Sequence, residues 1–348
     1  MRVLATGTEG YIGTLLPETL MSRGHEVVGV DTGFYKAGWL YPGVEMTAET
    51  LAKDIRDLTV DDLDGFDAVV HLAELSNDPV GQLAPDITYE INHKGSVRLA
   101  EIARAADVSR FVYMSSCSVY GVATEALVDE TSDLNPQTAY ADCKRLVERD
   151  VTPLATDSFS PTFLRSATAF GASPRMRFDV VVNNLAGLAW TQRAIRMESD
   201  GTPWRPFAHV RDICKAISCV LEAPQDIVHN EVFNVGASDA NYRVRDVAGI
   251  LADVFPGCAL ELGAAGADNR SYRVSFDRIH ERLPGFACDW DVRRGAAELR
   301  EVFERVGLDN ALFEFRGYTR LAQIRYLIDT GQLDRDFYWV RNGAARPD

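Results

Sequence analysis

The chain has 348 residues, 46% of them hydrophobic, which is enough to bury a sizeable core and to form two lobes. Its formal net charge of -15 disfavours nucleic acid or an anionic membrane as the main partner, because both are negatively charged. No apolar run is typical of a signal peptide or of a membrane span. We therefore expect a cytoplasmic protein that binds neither nucleic acid nor a membrane.

The six cysteines form no CxxC pair and no cluster with histidine at zinc spacing. In a chain of this length without a secretory signal, cysteines are typically free thiols in a reducing compartment. The sequence therefore predicts free thiols and no metal site.

Apolar runs bounded by turn residues predict buried strands, which in chain order cover 3–6, 26–31, 66–73, 110–116, 161–170 and 231–236. Helices are predicted at 11–23, 89–106, 139–151, 209–222 and 318–333. Nearly continuous apolar strands that alternate with helices are typical of a parallel sheet covered on both faces. The predicted fold class is α/β, a Rossmann-like doubly wound parallel sheet with a smaller mixed α/β lobe.

A second lobe is predicted because the strand and helix rhythm changes after the segment that ends near 170. We assign to the larger lobe 1–170 and 207–238, and to the smaller lobe 171–206 and 239–348. The last predicted helix is expected to pack on the smaller lobe through an apolar face that consists of Leu321, Ile324, Leu327 and Ile328.

The stretch TGTEGYIG, residues 6–13, follows the first strand and opens a helix. Glycines there let the backbone approach a pyrophosphate, and the helix directs its first N–H groups at the anion. Asp31, at the end of the second strand, can accept hydrogen bonds from the adenosine ribose and would repel a 2′-phosphate. The pattern predicts a dinucleotide site for NAD rather than NADP.

Asp54 either faces the adenine or caps a helix.

Tyr140 and Lys144 are four residues apart, which places both on one face of a helix. The pair follows the glycine turn and a strand that ends in Ser115 and Ser116, and this ordered trio is more specific than any one part. In these features the sequence resembles the extended short-chain dehydrogenase/reductase family, specifically its nucleotide-sugar epimerases and dehydratases. The resemblance covers about residues 1–300 and includes TGTEGYIG, Asp31, HLAELSNDP, Asn92, SSCSVYG and YADCK.

The resemblance implies that Tyr140 is the general base or acid, that Lys144 lowers its pKa and holds the nicotinamide ribose, and that Ser116 hydrogen-bonds the reacting oxygen. A phenol has a pKa of about 10, and a neighbouring ammonium favours its ionised form. Asn92 is either a backbone-spacing residue or a polar residue at a helix start. The predicted NAD contacts are Gly7, Gly10, Tyr11, Ile12, Gly13, Asp31, Asp54, Ile55, Leu72, Ala73, Asn92, Tyr140 and Lys144.

On the substrate side, the resemblance implies diphosphate contacts from Asn184, Arg205 and Arg270, and a guanidinium group suits phosphate oxygens geometrically. Glu74 follows the strand end that faces the nicotinamide and is a sugar contact, a proton-transfer group or a solvated turn residue. The predicted substrate contacts are Glu74, Ser116, Ser118, Asn184, Arg205 and Arg270.

Cys117 and Ser118 stand where the similar dehydratases carry an aspartate and a glutamate, so dehydration lacks its usual acid and base. The similar 4-epimerases carry small uncharged residues there. Cys117 is included among the catalytic candidates Tyr140, Lys144, Ser116 and Cys117, because a thiol can move a proton next to a ketone. The alternative is that Cys117 is a buried packing residue beside the substrate.

These features predict an NAD-dependent epimerase that inverts C4 of a nucleoside-diphosphate sugar through a transient ketone. A 4-ketoreductase that consumes NAD(P)H, a 3,5-epimerase and a decarboxylase remain alternatives within the same family. A non-enzymatic dinucleotide sensor is the alternative from another class, since fold alone does not fix function. The resemblance also implies a homodimer.

Overall fold

The computed structural model describes residues 1–42, 46–122, 127–197, 199–264 and 271–340. The strands in this part of the chain are β1 (Arg2–Thr6), β2 (Glu26–Asp31), β3 (Glu49–Ala52), β4 (Ala68–His71), β5 (Arg110–Ser116), β6 (Ser160–Ser166), β7 (Thr168–Phe170), β8 (Ala194–Arg196), β9 (Trp204–His209), β10 (Glu231–Val235), β11 (Asn241–Arg243) and β12 (Ala259–Glu261).

The α-helices are α1 (Leu16–Met21), α2 (Asp78–Leu83), α3 (Pro85–Thr88), α4 (Ser96–Ala105), α5 (Ala139–Val151), α6 (Val181–Gln192), α7 (Val210–Glu222), α8 (Gln225–Val228), α9 (Val244–Val254), α10 (Asp277–Arg282), α11 (Val292–Val306), α12 (Asn310–Phe313) and α13 (Arg320–Asp329). A π-helical segment, Tyr89–Gly95, leads into α4. Within the described residues, no helix is long and apolar enough to span a membrane.

The central sheet has seven parallel strands in the order β10-β6-β5-β4-β1-β2-β3. Two large apolar clusters involve residues of these strands and the helices around them, which explains the nearly continuous apolar strand sequences. The strand order reverses between β1 and β4, so a crevice opens at the carboxyl ends of these two strands. The predicted doubly wound α/β fold is confirmed.

Smaller sheets accompany the central one. β9 pairs in parallel with β7 and antiparallel with β11, and β8 pairs with β12. The helices α6, α9 and α11 enclose a third apolar cluster that includes Phe178, Phe207 and Phe303. This part is the predicted smaller mixed α/β unit, and the boundaries assigned to the two lobes stay a prediction.

The structure contains elements that were not expected from the sequence, namely β8, β9, β11, β12, α2, α3, α6 and α8 to α12, and it differs from the expectation at three further points. The strand expected at 161–170 is two strands, because β7 leaves the central sheet and pairs with β9. β3 was not predicted from the sequence, because this short edge strand is mostly exposed and carries no apolar run. The helix expected at 11–23 is regular only at Leu16–Met21, since its first part belongs to the glycine turn.

The expectation that the last helix packs on the smaller lobe is wrong. Ile324 and Leu327 of α13 lie in the apolar cluster that also contains Leu4 and Val30 of the central sheet. The Gln323 amide donates to the Phe34 carbonyl at 3.0 Å. An apolar stripe shows that a helix is buried on one face, but it does not show which surface covers it.

Candidate active site

A cavity of about 680 Å³ lies at the carboxyl ends of the strands, where the strand order reverses. The structure brings together at this cavity most of the predicted site residues, namely Gly7, Gly10, Tyr11, Ile12, Gly13, Asp31, Asp54, Ile55, Leu72, Ala73, Glu74, Ser116, Ser118, Tyr140, Lys144 and Arg205. Three predicted residues do not line it: Asn92, Cys117 and Asn184. Arg270 lies outside the described residues.

The glycine turn has the close packing that a dinucleotide site needs. Gly7 adopts φ of +79°, which favours glycine. A Cβ on Gly13 would lie 1.9 Å from the Gly7 carbonyl oxygen, so the backbone here has no room for a side chain. The turn therefore keeps its bare backbone at the cavity wall, where a pyrophosphate can approach.

Asp31 is placed to accept hydrogen bonds from a ribose. Its Oδ2 accepts from the Glu9 backbone N–H at 3.0 Å, and its Oδ1 accepts from the Gly33 N–H at 2.7 Å. Each carboxylate oxygen retains acceptor capacity toward the cavity. Burial raises the pKa of Asp31, although the two N–H groups partly offset this. The nearby Lys36 forms an ion pair with Glu9, at 3.4 Å. The turn and this carboxylate both fit NAD.

Asp54 caps the short helical turn Ile55–Asp57. Its Oδ1 accepts from the Arg56 backbone N–H at 2.8 Å, and the Arg56 guanidinium binds both of its oxygens. Asp54 also lines the cavity, so the two roles left open by the sequence are compatible.

Asn92 acts on the backbone rather than on the cavity. Its Oδ1 accepts from the Leu75 N–H at 2.9 Å, and its Nδ2 donates to the Leu75 carbonyl at 3.1 Å. Its own carbonyl accepts from Ser96 Oγ, which hydrogen-bonds His71 Nε2 at 2.7 Å. The other ring nitrogen of His71 hydrogen-bonds Thr6 Oγ1 at 2.7 Å. This buried network holds the loop that follows β4.

Tyr140 and Lys144 project from one face of α5, as the four-residue spacing predicts. The Lys144 Nζ lies 5.4 Å from the centre of the Tyr140 ring. Burial raises the pKa of Tyr140, and the carboxylates of Glu74 and Asp78 raise it further. The charge of Arg177 and a hydrogen bond with Ser116 lower the Tyr140 pKa.

The Glu74 side chain is buried next to Lys144, at 2% exposure, so the alternative of a solvated turn residue is wrong. Its Oε2 lies 2.5 Å from Lys144 Nζ, and its Oε1 accepts from the Tyr113 hydroxyl at 2.5 Å. Lys144 Nζ also donates to the Met114 carbonyl at 2.5 Å. Burial raises the pKa of Glu74, and Lys144 and Tyr113 counteract that rise.

Cys117 does not reach the cavity, which contradicts its inclusion among the catalytic candidates. Its thiol donates to the Arg165 carbonyl at 3.2 Å and lies within an apolar cluster, 1% exposed. Burial raises the pKa of this thiol well above its usual range, so the nucleophilic thiolate is disfavoured. Ser118 lines the cavity instead, and its buried Oγ has no hydrogen-bond partner among the described residues.

Of the two described phosphate candidates, the structure brings one to the cavity. Arg205 lines it and donates to the Trp204 carbonyl at 2.8 Å. Asn184 donates from Nδ2 to the Phe178 carbonyl at 2.9 Å. This bond uses one of the two N–H groups of the Asn184 amide, and Asn184 does not line the cavity.

Asn183, the neighbour of Asn184, links the glycine turn to the smaller unit. Its Nδ2 donates to the Tyr11 hydroxyl at 3.1 Å, and its Oδ1 accepts from the Gly171 N–H at 3.0 Å. The Tyr11 hydroxyl in turn donates to the Gly171 carbonyl at 2.6 Å. The Ser173 hydroxyl donates to the Tyr11 carbonyl at 2.8 Å. Tyr11 is therefore held at both its backbone and its side chain.

Tyr113, Tyr35 and Arg320 were not predicted as site residues. Tyr113 belongs to an apolar strand, so the sequence predicts a core residue there. Tyr35 lies in a loop, and Arg320 is the first residue of the last helix. Arg177 also lines the cavity, and its Nε donates to Asp179 Oδ1 at 2.8 Å. No local motif marks Tyr35 or Arg320, which the fold brings to the cavity, whereas Tyr113 does not line the cavity and acts through its hydrogen bond to Glu74.

The sheet, the glycine turn and the serine, tyrosine and lysine trio define an NAD-dependent enzyme of the epimerase and dehydratase class. The model of the NAD dependent epimerase/dehydratase family matches residues 3–236, and the chain belongs to this family. The predicted resemblance and the predicted cofactor NAD are thereby confirmed.

Similar proteins come from curated sequences and from solved structures. The UDP-glucose 4-epimerase of Bacillus subtilis is 26% identical over 327 residues, which cover 86% of this chain and 94% of that protein. The structure of MoeE5 with UDP-glucuronic acid and NAD is 27% identical, with a TM-score of 0.76 over 88% of this chain and 99% of that one. The dTDP-glucose 4,6-dehydratase DesIV of Streptomyces venezuelae shares the fold, with a TM-score of 0.78 and 23% identity over 90% of this chain and 100% of that one.

Proposed function

We propose that the protein is an epimerase that inverts C4 of a nucleoside-diphosphate sugar through a transient ketone. The observation that carries this proposal is one cavity that joins the glycine turn and the Tyr140 trio to Arg205. The similar sequences include UDP-glucose 4-epimerases, and MoeE5 has been solved with UDP-glucose and with UDP-glucuronic acid. Arg205 would bind the diphosphate of such a substrate.

NAD, when bound, takes a hydride from the sugar carbon and later returns one to it. Tyr140 would accept the proton of the hydroxyl that is oxidised and give it back when the ketone is reduced. Ser116, at the end of β5, would donate a hydrogen bond to the reacting oxygen. Lys144 would favour the ionised tyrosine. Inversion then requires that the ketone present its other face before it is reduced.

The residues after Ser116 favour epimerisation over dehydration. An elimination of water needs an acid for the leaving hydroxyl and a base for the neighbouring proton. The Cys117 thiol is buried away from the cavity, and Ser118 offers only a hydroxyl. Glu74 is the carboxylate nearest to Lys144, and its oxygens are already engaged by Lys144 and Tyr113.

The test incubates purified protein with a panel of nucleoside-diphosphate sugars in deuterated water, without added cofactor, and identifies the products by proton NMR and mass spectrometry. The expected product is inverted at C4 and contains no solvent deuterium. Conversion of keto-sugars only when NADH is supplied would instead identify a ketoreductase. Deuterium beside the transient ketone would identify an enolising epimerase.

The matched control is Tyr140→Phe, which keeps the aromatic ring and removes the acid/base hydroxyl. Its turnover is expected to fall by about a hundredfold or more. The proposal fails if this variant turns over as fast as the unmodified protein. It also fails if no sugar of the panel is converted although NAD is bound.

A further inference from the structure

Arg320, the first residue of α13, is a buried cation with unused hydrogen-bond donors. It lines the cavity and is 2% exposed. Its backbone N–H donates to Asp179 Oδ2 at 3.0 Å, and its guanidinium lies 3.9 Å from the centre of the Tyr35 ring. Neither its Nε nor its Nη1 has a hydrogen-bond partner among the described residues.

The charged groups around Arg320 do not satisfy it. Asp179 is shared, since its oxygens accept from Arg177, from Asn77 and from the Arg320 backbone. Asp31 accepts from two backbone N–H groups. Burial and the neighbouring charge of Arg177 lower the pKa of Arg320 to about 10. A buried guanidinium with unpaired donors is costly, and an anion in the cavity would remove that cost.

The position of Arg320 indicates which part of the cofactor it faces. Arg320 lines the same cavity as the glycine turn, Asp31 and Tyr140. It interacts electrostatically with Asp31, the carboxylate placed for the adenosine ribose, and with Arg177, which in turn acts on Tyr140. The diphosphate of NAD joins the adenosine half to the nicotinamide half, so it is the anionic part of the cofactor that lies between the residues expected to hold these two halves.

We propose that Arg320 donates hydrogen bonds to the diphosphate of bound NAD, so that α13 is a component of the cofactor site. The glycine turn supplies backbone N–H groups to this anion, and Arg320 adds a charged donor. α13 is held against the loop after β2 by the bond from Gln323 to Phe34, and Trp339 Nε1 donates to the Thr32 carbonyl at 2.6 Å. The inference depends on NAD binding and does not depend on which sugar is turned over.

The test compares Arg320→Ala with Arg325→Ala by calorimetric titration of NAD, ADP and adenosine into cofactor-free protein. Arg325 is exposed on the same helix, so its variant loses the same charge outside the cavity. Loss of hydrogen bonds to a charged group is expected to weaken NAD and ADP binding by about tenfold to a hundredfold in Arg320→Ala. Adenosine lacks phosphate, and its affinity is expected to stay unchanged.

Thermal unfolding of the cofactor-free protein separates binding from folding. The Arg320 guanidinium packs on Tyr35 and interacts with Asp179 and Asp31, so its removal can lower the melting temperature of the cofactor-free protein, and the readout is the rise that NAD adds to each variant's own value. The rise in melting temperature caused by NAD should shrink. Arg320→Lys keeps the charge without the planar guanidinium and is expected to bind NAD with intermediate affinity. If Arg320→Ala does not fold, Arg320→Lys takes its place in the comparison of NAD affinities. Unchanged NAD affinity, or an equal loss for ADP and adenosine, would overturn the proposal.

Discussion

The carboxylate of Glu74 lies 2.5 Å from the ammonium of Lys144, in a site where both side chains are buried. The lysine that would favour ionised Tyr140 thus carries its own counter-ion. The same carboxylate acts on Tyr140 and raises its pKa, as does Asp78, whereas Arg177 and Ser116 lower it. Whether Tyr140 can act as a base near neutral pH depends on the balance of these charges.

Removal of the Glu74 charge is expected to make Tyr140 more acidic. In Glu74→Gln the amide no longer raises the Tyr140 pKa, so the ionised tyrosine persists to lower pH. The acid limb of the pH profile of kcat/KM should therefore move to lower pH. Tyr113→Phe is the control, because it keeps the carboxylate and removes only its hydrogen-bond donor. An acid limb that stays in place, or moves to higher pH, would contradict this account.

Replacement of Gly13 is expected to abolish tight NAD binding. A methyl group there would lie 1.9 Å from the Gly7 carbonyl oxygen and must push the turn apart. Gly249, inside α9, is the matched control, since a Cβ there meets nothing within 4 Å. We expect Gly13→Ala to purify without NAD and Gly249→Ala to keep it. Gly249→Ala should not lose stability, because alanine favours helix over glycine by about 1 kcal/mol. Equal NAD content in both variants would refute the prediction.

His71 is expected to destabilise the protein in acid. Burial lowers its pKa to about 3 from 6.5, so the unfolded chain takes up a proton well before the folded protein does. The stability that neutral His71 provides is therefore complete above pH 6.5 and falls as the pH drops toward 3. For the uptake of one proton, the free energy of unfolding falls by about 1.4 kcal/mol for each pH unit in this range.

The measurement is the free energy of unfolding of the unmodified protein and of His71→Gln across this pH range. Glutamine does not titrate, so the variant should lose less stability in acid, while all other titrating groups contribute to both proteins. Parallel pH dependences of the two proteins would show that His71 does not carry the effect.

Replacement of Cys117 is expected to change stability more than catalysis. Cys117→Ala removes a buried sulfur from the apolar core and should lower the free energy of unfolding by about 1 kcal/mol or more. Because the thiol does not reach the cavity, kcat and KM should stay within about twofold of the unmodified values. Ser118→Ala, one residue further along, removes a hydroxyl that does line the cavity and should change KM. A large loss of kcat in Cys117→Ala would restore the thiol as an acid/base.

The sequence predicts the parts of the fold and site that depend on short-range patterns. Gly7 and Gly13 lie in one turn, and Tyr140 and Lys144 lie on one helix face, so their spacing determines their geometry. Asp31 is the last residue of β2, a strand that can be recognised by its apolar residues.

Other features depend on which distant elements meet, and they could not be predicted. The partnership of Glu74 with Tyr113 and Lys144 requires the packing of β4, β5 and α5. The entry of Arg320 into the cavity requires that α13 return to the central sheet. Whether the Cys117 side chain faces the cavity or the core depends on the turn after β5, and the sequence pattern does not predict the geometry of that turn.

Tyr11 stands in the glycine turn, yet three of its hydrogen bonds lead to Gly171, Ser173 and Asn183, beyond the central sheet. A shift of the segment at 171–183 must therefore displace the backbone that faces the cofactor. If the sugar moves that segment when it binds, the two ligands share a coupling free energy, which by thermodynamic linkage is the same in both directions. The hydrogen bonds of one tyrosine thus give the enzyme a route by which each ligand changes the affinity of the other.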